Sequence, residues 1–331
     1  MSDGGDGFGE VLSVHLEARP QTVKTVDAAH RPIKATWWYE PRSKTAIIDS
    51  SRIIGLAQLP PKKFHPFELD TYGLGAVLTA AANKGARRCM MGIGGSATND
   101  GGFGMARALG WQFHDKAGKC IEKWTDLPKL ERIYRPQHPR WFEEFVVAVD
   151  VQNPLLGAKG ATKIYGLQKG LTTKDFVPAE ACLRRLAAIV EREMDRNYGA
   201  DDGMGAAGGL GFGLRAFAGG RLEPGFGVFA RLSELRRHMG IAQMIVTAEG
   251  RIDQSSLMGK GVGEVAWWSR KLNLPCIGFA GVIGDAAAVK KLFTSAHALT
   301  PKFTTLAKAM KQPETSLAAL AKKVASELEA R

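Results

Sequence analysis

The sequence is poor in the residues that build disulfide frameworks, zinc sites and membrane spans. Its 331 residues contain four cysteines, and none of them forms a Cys-x-x-Cys pair or stands at zinc-like spacing. Cys89 and Cys276 lie in apolar, strand-like runs, so we expect buried free thiols and a reducing, cytoplasmic compartment. There is no signal segment and no apolar stretch long enough to cross a bilayer, so we expect no membrane partner.

Several common catalytic and binding patterns are also missing. None of the seven histidines stands at the spacing of a catalytic triad or a metal site. The P-loop pattern GxxxxGK[ST] is absent, because Gly259-Lys260 is followed by Gly261 and no glycine stands at position 254. The formal net charge of +12 comes from scattered Lys and Arg without a nucleic-acid motif. The charge therefore predicts no nucleic-acid partner and slightly favours small anionic substrates.

What the chain has in excess is glycine, with 39 residues gathered in a few loops. The loop 92–102, GIGGSATNDGG, lies between a predicted strand (86–91) and a predicted helix from Phe103 to Gly110. Its glycines let the backbone approach a ligand, and free N–H groups before a helix favour an anion. The carboxylate of Asp100 suits an anion that carries Mg²⁺. The structural alternative is a plain turn in which Asn99 or Asp100 caps the helix.

The order of the predicted elements indicates an α/β fold long enough for two domains. A Gly/Asp loop at 3–7 precedes a helix, and extended runs at 22–26, 32–39 and 45–49 indicate a meander-like sheet. We expect residues 111–144 to be irregular, 145–150 to be a buried strand and 178–194 to be an amphipathic helix. Two more glycine-rich loops are predicted at 157–170 and 203–211, and strands at 244–248, 276–280 and 297–300.

Two kinds of chemistry fit these loops. Gly92-x-Gly94-x-x-Ala97 matches the dinucleotide-binding pattern, with Asp115 ~20 residues downstream, but Asp115 lies in a predicted turn rather than at a strand end. The runner-up function is therefore a nicotinamide-dependent hydroxy-acid dehydrogenase. The favoured function is phosphoryl transfer, which needs Mg²⁺, donors around the phosphate and a base. Asp100, Asp150 and Asp253 offer carboxylates at predicted strand ends, and Arg251 and Lys260 offer cations.

Five segments of the chain resemble the bacterial glycerate kinase family in order and spacing. They are GIGGSATNDGGFGMARALG (92–110), AVDVQN (148–153), YGLQKG (165–170), GAAGGLG (205–211) and TAEGRIDQSSLMGK (247–260), and DGGDG (3–7) looks like the family's early DGGEG loop. The resemblance implies ATP-dependent phosphorylation of glycerate, usually at the 2-hydroxyl. Together with the chemistry of the loops, it leads us to expect that Mg·ATP phosphorylates D-glycerate. It also implies a two-domain α/β fold in which a larger inserted α/β domain (19–240) interrupts a Rossmann-like domain (1–18 and 241–331).

The resemblance and the chemistry together give the expected site residues. We expect Asp253 to be the base for the substrate hydroxyl, Arg251 and Lys260 to neutralise developing charge, and Asp100 and Asp150 to hold the metal. Fourteen further residues are expected to bind glycerate or phosphate: Asp3, Gly4, Gly5, Gly94, Gly95, Ser96, Thr98, Asn99, Gln168, Lys169, Gly208, Gly209, Glu249 and Gly250.

This chain departs from the family in one respect. Family members begin with a further strand–helix unit that carries a D-S-[FY]-K-x-S motif, and this motif is missing here. We expect the missing unit to remove a central strand and a lysine that contacts phosphate or substrate. Two interpretations follow: a start codon placed too late, or a diverged or inactive member that binds ligand without turnover.

Overall fold

The first 233 residues are built on a six-stranded mixed sheet, and residues 234–331 form a second unit. The structure is a computed structural model that describes residues 1–137, 141–257 and 261–329. Within these residues, no helix is both long and apolar enough to pass through a lipid bilayer.

The sheet of the first unit has the order β1-β2-β3-β4-β7-β8. Its strands are β1 (Arg19–Val26), β2 (Pro32–Glu40), β3 (Thr45–Asp49), β4 (Arg88–Gly92), β7 (Glu144–Val149) and β8 (Arg221–Pro224). Strands β5 (Gln112–Asp115) and β6 (Leu130–Tyr134) form a separate two-stranded ladder. Strands β1, β2 and β3 form the predicted antiparallel meander, whereas β3, β4, β7 and β8 run parallel. The carboxyl ends of the four parallel strands therefore share one edge.

Eight helices complete the described part of the first unit. They are α1 (Phe8–His15), α2 (Ser51–Ile54), α3 (Gly73–Asn83), α4 (Phe103–Ala108), α5 (Ala161–Lys169), α6 (Phe176–Met194), α7 (Ala206–Ala218) and α8 (Gly225–Leu232). Short 3₁₀ helices lie at Leu56–Gln58, Pro66–Glu68, Trp124–Lys129 and Thr173–Asp175.

Both faces of the parallel strands are covered. Ala46 and Ile48 of β3 point into the main core, and Ile47 between them is equally buried on the other face. That other face is covered by α1, whose Phe8 lies so close to Gly92 that an added Cβ there would come within 2.6 Å of the Phe8 ring. Burial on two faces explains the near-continuous apolar runs of these strands.

The second unit is a small parallel sheet with helices. Its elements are α9 (Leu235–Gly240), β9 (Ile245–Ile252), a 3₁₀ helix (Gln254–Leu257), α10 (Gly261–Lys271), β10 (Cys276–Ile283), α11 (Ala286–Leu292), β11 (Ser295–Thr300), α12 (Leu306–Lys311) and α13 (Pro313–Glu329). The strands have the order β11-β10-β9, and both neighbouring pairs are parallel. Side chains of β10 alternate between two apolar clusters, with Cys276 in one and Ile277 in the other. The sheet therefore packs against helices on both faces.

Several predicted boundaries differ from the structure. Residues 157–170 were predicted as a loop but contain helix α5, and 111–144 contains the antiparallel pair β5–β6 rather than irregular chain. Strand β9 continues through Glu249, Gly250 and Arg251, which were expected in the loop after it. Residues 1–18 lie within the first unit, where α1 packs on β2, β3 and β4. This division differs from the predicted one, which groups 1–18 with 241–331.

Candidate active site

Two glycine-rich loops cross at the carboxyl edge of β4 and β7. The Gly94 N–H donates to the Gly4 carbonyl at 3.0 Å, so the loop 3–7 lies directly against the loop that follows β4. A Cβ on Gly4 would lie 2.7 Å from the Ala148 carbonyl oxygen, and one on Gly94 would lie 2.6 Å from the Gly5 Cα. Only glycine allows this approach of two backbones, which explains why both segments need the residue.

The loop 3–7 is also tied to the end of β3. Asp49 is buried, and its carboxylate accepts hydrogen bonds from Gly7 N (3.1 Å) and from Ser51 N and Oγ (3.2 and 2.7 Å). Burial raises the pKa of Asp49, and the bond from the Ser51 side chain opposes that rise. The carboxylate thus fixes the N-terminal loop against the sheet edge.

A cavity of about 540 Å³ opens at this edge within the first unit. It is lined by Asp6, Leu56, Ala57, Gly94, Gly95, Ser96, Asp150, Val151, Tyr165, Gln168, Lys169 and Ala207. Six of these belong to the predicted site: Gly94, Gly95, Ser96, Asp150, Gln168 and Lys169. Open α/β sheets bind ligands at the carboxyl ends of their parallel strands, so the position of the cavity agrees with a ligand site.

Three polar residues of the loop after β4 are predicted to bind ligand: Ser96, Thr98 and Asn99. Ser96 Oγ lies 2.9 Å from Thr98 Oγ1 and accepts from Thr98 N at 3.1 Å. Thr98 and Asn99 are fully buried, and Asn99 Nδ2 donates to Thr162 Oγ1 on α5 at 3.1 Å. Of the three predicted binding residues, only Ser96 lines the cavity. Thr98 and Asn99 hold the loop against α5.

Lys169 is a buried cation at the cavity wall. Its ammonium donates to the Thr98 carbonyl at 2.6 Å, while only 6% of the residue is exposed. Burial lowers the pKa of Lys169 to about 7, and the charge of Asp100 opposes the decrease. A bound anion would favour the charged form, so Lys169 is suited to binding phosphate or carboxylate.

The start of α7 brings a left-handed turn against the same loop. Ala207, Gly208 and Gly209 have φ values of 55°, 72° and 85°. A Cβ on Gly208 would lie 1.9 Å from the Thr98 carbonyl oxygen and 2.8 Å from Lys169 Nζ. Gly208 and Gly209, predicted to bind ligand, therefore allow close packing behind the loop, while Ala207 lines the cavity.

The structure does not support the predicted role of Asp100 in metal binding. Its carboxylate is fully buried and accepts from Thr71 N (3.0 Å), Thr71 Oγ1 (2.8 Å), Gly102 N (3.2 Å) and Gly104 N (2.9 Å). Burial raises the pKa of Asp100 to about 6, and Asp70 adds to the rise. Three of these bonds reach Oδ2 and one reaches Oδ1, and together they fix the loop and the first turn of α4. Asp100 does not line the cavity, and we withdraw it from the metal ligands.

Asp150 follows β7 and lies on the cavity wall with an exposed side chain. Sequence reasoning missed Asp6 and Tyr165 as lining residues, although each lies within a quoted motif, DGGDG and YGLQKG. Tyr165 Oη donates to Asn153 Oδ1 at 2.5 Å, and burial raises its pKa, with a contribution from the charge of Asp150. Asp3, predicted to bind ligand, instead accepts from Gly5 N at 3.1 Å within its own turn.

The described residues of the cavity offer ligands that suit Mg²⁺. No group of three or more His, Cys, Asp or Glu side chains converges in the described ranges, so they contain no all-protein metal cage. Asp150 and Asp6 both line the cavity, and carboxylate oxygen is the ligand that Mg²⁺ prefers. Mg²⁺ commonly uses one or two carboxylates together with substrate phosphates and waters. The donor set therefore fits Mg²⁺ delivered with a nucleotide.

The remaining predicted residues lie in the second unit. Arg251 Nε donates to Asp253 Oδ2 at 3.0 Å, and Ser256 Oγ donates to Glu249 Oε2 at 2.9 Å. Gly250 lies in β9, where the Cβ of another residue would meet nothing within 4 Å. Lys260 lies outside the residues that the structure describes. The structure thus groups Glu249, Arg251 and Asp253 at the end of one strand.

The alternative dinucleotide-binding pattern lacks its structural context. Asp115 is the last residue of β5 and accepts from Ala117 N and Lys119 N of the turn that follows, both at 2.9 Å, so it lies at a strand end and not within the turn as predicted. Its strand β5 pairs with β6 in a separate antiparallel ladder and is not a neighbour of β4. Asp115, the acidic residue that the pattern places on the ribose, therefore lies outside the sheet that contains Gly92.

Comparison with known proteins agrees with the motifs and the fold. The model of the glycerate kinase family matches residues 1–329. The chain is 34% identical over 330 residues to a glycerate kinase of Halalkalibacterium halodurans, covering 98% of this chain and 87% of that protein. It is 33% identical over 292 residues to glycerate 2-kinase of Escherichia coli K12, covering 87% and 77%. A crystal structure described as glycerate kinase 2 from Salmonella typhimurium LT2 superimposes with a TM-score of 0.82 at 30% identity, covering 100% of this chain and 88% of that one. The protein belongs to the glycerate kinase family.

Proposed function

We propose that this protein transfers the γ-phosphoryl group of Mg·ATP to the 2-hydroxyl of D-glycerate, giving 2-phosphoglycerate and ADP. The observation that supports this most is the 540 Å³ cavity, where glycine backbone, a buried ammonium and two carboxylates meet at the end of parallel strands. Relatives named glycerate kinase and glycerate 2-kinase support the choice of substrate and of hydroxyl.

The anion-binding part of the proposed site is formed by residues 94–96 and Lys169. Gly95 has a φ of 71°, and an added Cβ there would lie 2.2 Å from Asp6 Oδ1, so only glycine leaves room for the Asp6 carboxylate beside the loop that lines the cavity. Ser96 supplies a hydroxyl, and Lys169 supplies an ammonium group that its bond to the Thr98 carbonyl holds in place. Preorganised donors of this kind stabilise phosphate or carboxylate charge without reorganisation. Gln168, also on the wall, can donate an amide hydrogen bond to the same anion.

Asp150, with Asp6, is proposed to hold Mg²⁺. When bound, the ion would neutralise phosphate charge during transfer. Asp150→Asn would keep the size of the side chain and remove its negative charge. We expect this variant to need a higher Mg²⁺ concentration for half-maximal activity.

Asp253 and Arg251 are proposed to act on the reacting groups. Asp253 accepts the proton of the glycerate hydroxyl as its oxygen attacks the γ-phosphorus, and the bond from that phosphorus to the bridging oxygen of ADP breaks. Arg251, and Lys260 as a prediction, neutralise the charge that develops on the phosphoryl oxygens. The ion pair between Arg251 and Asp253 holds the carboxylate at the end of β9.

Steady-state assays of ADP release with glycerate and Mg²⁺ test the proposal. We expect Asp253→Asn to lower kcat ~10²–10⁴-fold while nucleotide affinity changes little, and Asp202→Asn, an exposed carboxylate, to behave like wild type. Near-normal kcat in Asp253→Asn together with an inactive Asp150→Asn would show that the roles of base and metal ligand must be exchanged between these two residues. Glycerate-independent ATP consumption, ligand binding without turnover, or reduction of NAD by a hydroxy-acid would each contradict the proposed reaction.

A further inference from the structure

A second cavity in the first unit has a different character from the candidate active site. It measures about 350 Å³ and shares no lining residue with the first cavity. Its wall includes three arginines and three aromatic residues: Arg135, Arg196, Arg215, Trp111, Tyr198 and Phe217. No part of the proposed phosphoryl transfer uses these residues.

The three guanidinium groups lack, among the described residues, the ion-pair partners that other arginines of this unit have. Arg215 is half-buried and donates to the Gly220 carbonyl at 3.3 Å, and Arg196 donates to Tyr198 Oη at 3.1 Å. Across the part of the chain that the structure describes, neither these two nor Arg135 has a carboxylate oxygen within 4 Å. Asp195, next to Arg196 in sequence, adds a negative charge nearby. Other arginines of this unit do form ion pairs, among them Arg185, Arg192 and Arg231, each with a glutamate.

Two aromatic rings, those of Trp111 and Phe217, line this cavity and are called its floor here. The rings of Trp111 and Phe217 are both buried and meet edge to face, with centroids 5.1 Å apart. Trp111 Nε1 donates to the Phe217 carbonyl at 3.0 Å, so the indole N–H is already bonded and contributes no free donor to the cavity. On the wall, the Arg215 guanidinium stacks over the Tyr198 ring at 5.3 Å. The cavity therefore offers cationic groups above an apolar floor.

We propose that this cavity binds a small organic anion in which a phosphate or carboxylate group is attached to a flat apolar body. Guanidinium groups bind phosphate and carboxylate through paired N–H donors and stack on planar groups. The volume lies at the small end of the range for ligand cavities. The anionic group would contact the arginines, and the apolar body would lie over the ring floor.

Calorimetric titration with chosen probes tests this site. The probes are phenyl phosphate, benzoate, inorganic phosphate and benzyl alcohol, which separate the anionic group from the ring and phosphate from carboxylate. We expect phenyl phosphate or benzoate to bind saturably, and inorganic phosphate and benzyl alcohol each to bind at least about tenfold more weakly than the better aromatic anion. The stronger of the two aromatic anions identifies the anionic group. Equal affinity for inorganic phosphate would refute the role of the floor.

Variants locate the binding. The double variant Arg135→Gln/Arg196→Gln changes two exposed side chains. We expect it to weaken binding of the aromatic anion at least about tenfold, since it removes two charge-assisted hydrogen bonds to the anionic group. Arg237→Gln, an exposed arginine of the second unit, and Lys169→Met, in the other cavity, are expected to leave the affinity unchanged. Absence of saturable binding by both aromatic anions, or binding that survives the double substitution, would overturn the proposal.

Discussion

The substitution Lys169→Met separates the effect of the buried ammonium on stability from its effect on catalysis. Methionine has a similar length and no charge, so it fills much of the same space. Burial lowers the pKa of Lys169 from 10.5 to about 7, and at about 1.4 kcal/mol per unit the charged form costs the fold ~5 kcal/mol at most. The variant also leaves the Thr98 carbonyl without its donor, which costs about 1–3 kcal/mol. The net expectation at pH 6 is a variant that is ~2 kcal/mol more stable than wild type.

The sign of the pH dependence follows from the direction of the shift. The folded-state pKa of Lys169 lies below that of the unfolded chain, so the unfolded chain binds more protons between pH 7 and 10.5. The free energy of unfolding of wild type therefore gains from this group as pH rises through that window, and the variant lacks the gain. We expect the stability advantage of Lys169→Met to be largest below pH 7, to vanish near pH ~8.5 and to reverse at higher pH, where only the lost bond to the Thr98 carbonyl remains.

Urea unfolding at pH 6, 7.5 and 9, followed by tryptophan fluorescence, measures the stability, and ADP release measures kcat/KM. We expect kcat/KM to fall ~10²–10³-fold because a charged donor to the anion is lost. Lys163→Met is the matched control, since Lys163 is exposed on the same helix α5. The reasoning is refuted if Lys169→Met is less stable than wild type at pH 6, or if its advantage does not shrink as pH rises.

Three further substitutions test the packing and the edges of the fold. In urea unfolding, Gly208→Ala should lower the free energy of unfolding by at least ~3 kcal/mol, because its Cβ would lie 1.9 Å from the Thr98 carbonyl oxygen. Gly219→Ala has a similar φ of 74° and nothing within 4 Å, so it should lower that free energy by only about 1–2 kcal/mol. Equal losses in the two variants would contradict the steric argument. Asp100→Asn should cost about 1–3 kcal/mol without changing the Mg²⁺ requirement, since an amide NH₂ cannot accept from backbone N–H groups; a changed requirement would restore its metal role. Val246 is 56% exposed on β9, which lies at the edge of its sheet. Val246→Thr makes this edge strand less apolar, so it should reduce self-association measured by light scattering. Unchanged scattering would contradict a role of this strand in self-association.

The parallel strands and the ligand edge could be predicted from the sequence. Apolar runs that end in glycine or aspartate, such as the one before Asp150, are typical of strands buried on two faces. Since the carboxyl ends of parallel strands share one edge, the loops after β4 and β7 had to lie close together. The structure confirms this with Gly94, Ser96 and Asp150 on one cavity.

Helix α5 could not be predicted, because its buried face is small. Only Ala161, Thr162, Gly166 and Lys169 are buried along it, so it has no stripe of large apolar residues at helical spacing. Four glycines between 157 and 170 indicate a loop when they are read locally. Tertiary packing against α6 and α7 overrides that local preference.

The roles of individual polar residues depend on burial, which a single sequence does not show. Asp100 and Asp150 both follow strands, yet one is fully buried among four donors and the other is exposed at a cavity. Thr71, which supplies two of the donors to Asp100, is 29 residues away in sequence. No spacing rule connects these two residues, so the structural role of Asp100 required the fold.

Phosphorus NMR of the protein with Mg·ATP and D-glycerate tests the proposed reaction most directly. The proposal predicts loss of the ATP γ-phosphate signal together with equal growth of ADP and of the phosphomonoester signal of authentic 2-phosphoglycerate, all dependent on glycerate. An unchanged ATP spectrum, or growth of 3-phosphoglycerate in place of the 2-isomer, would contradict it.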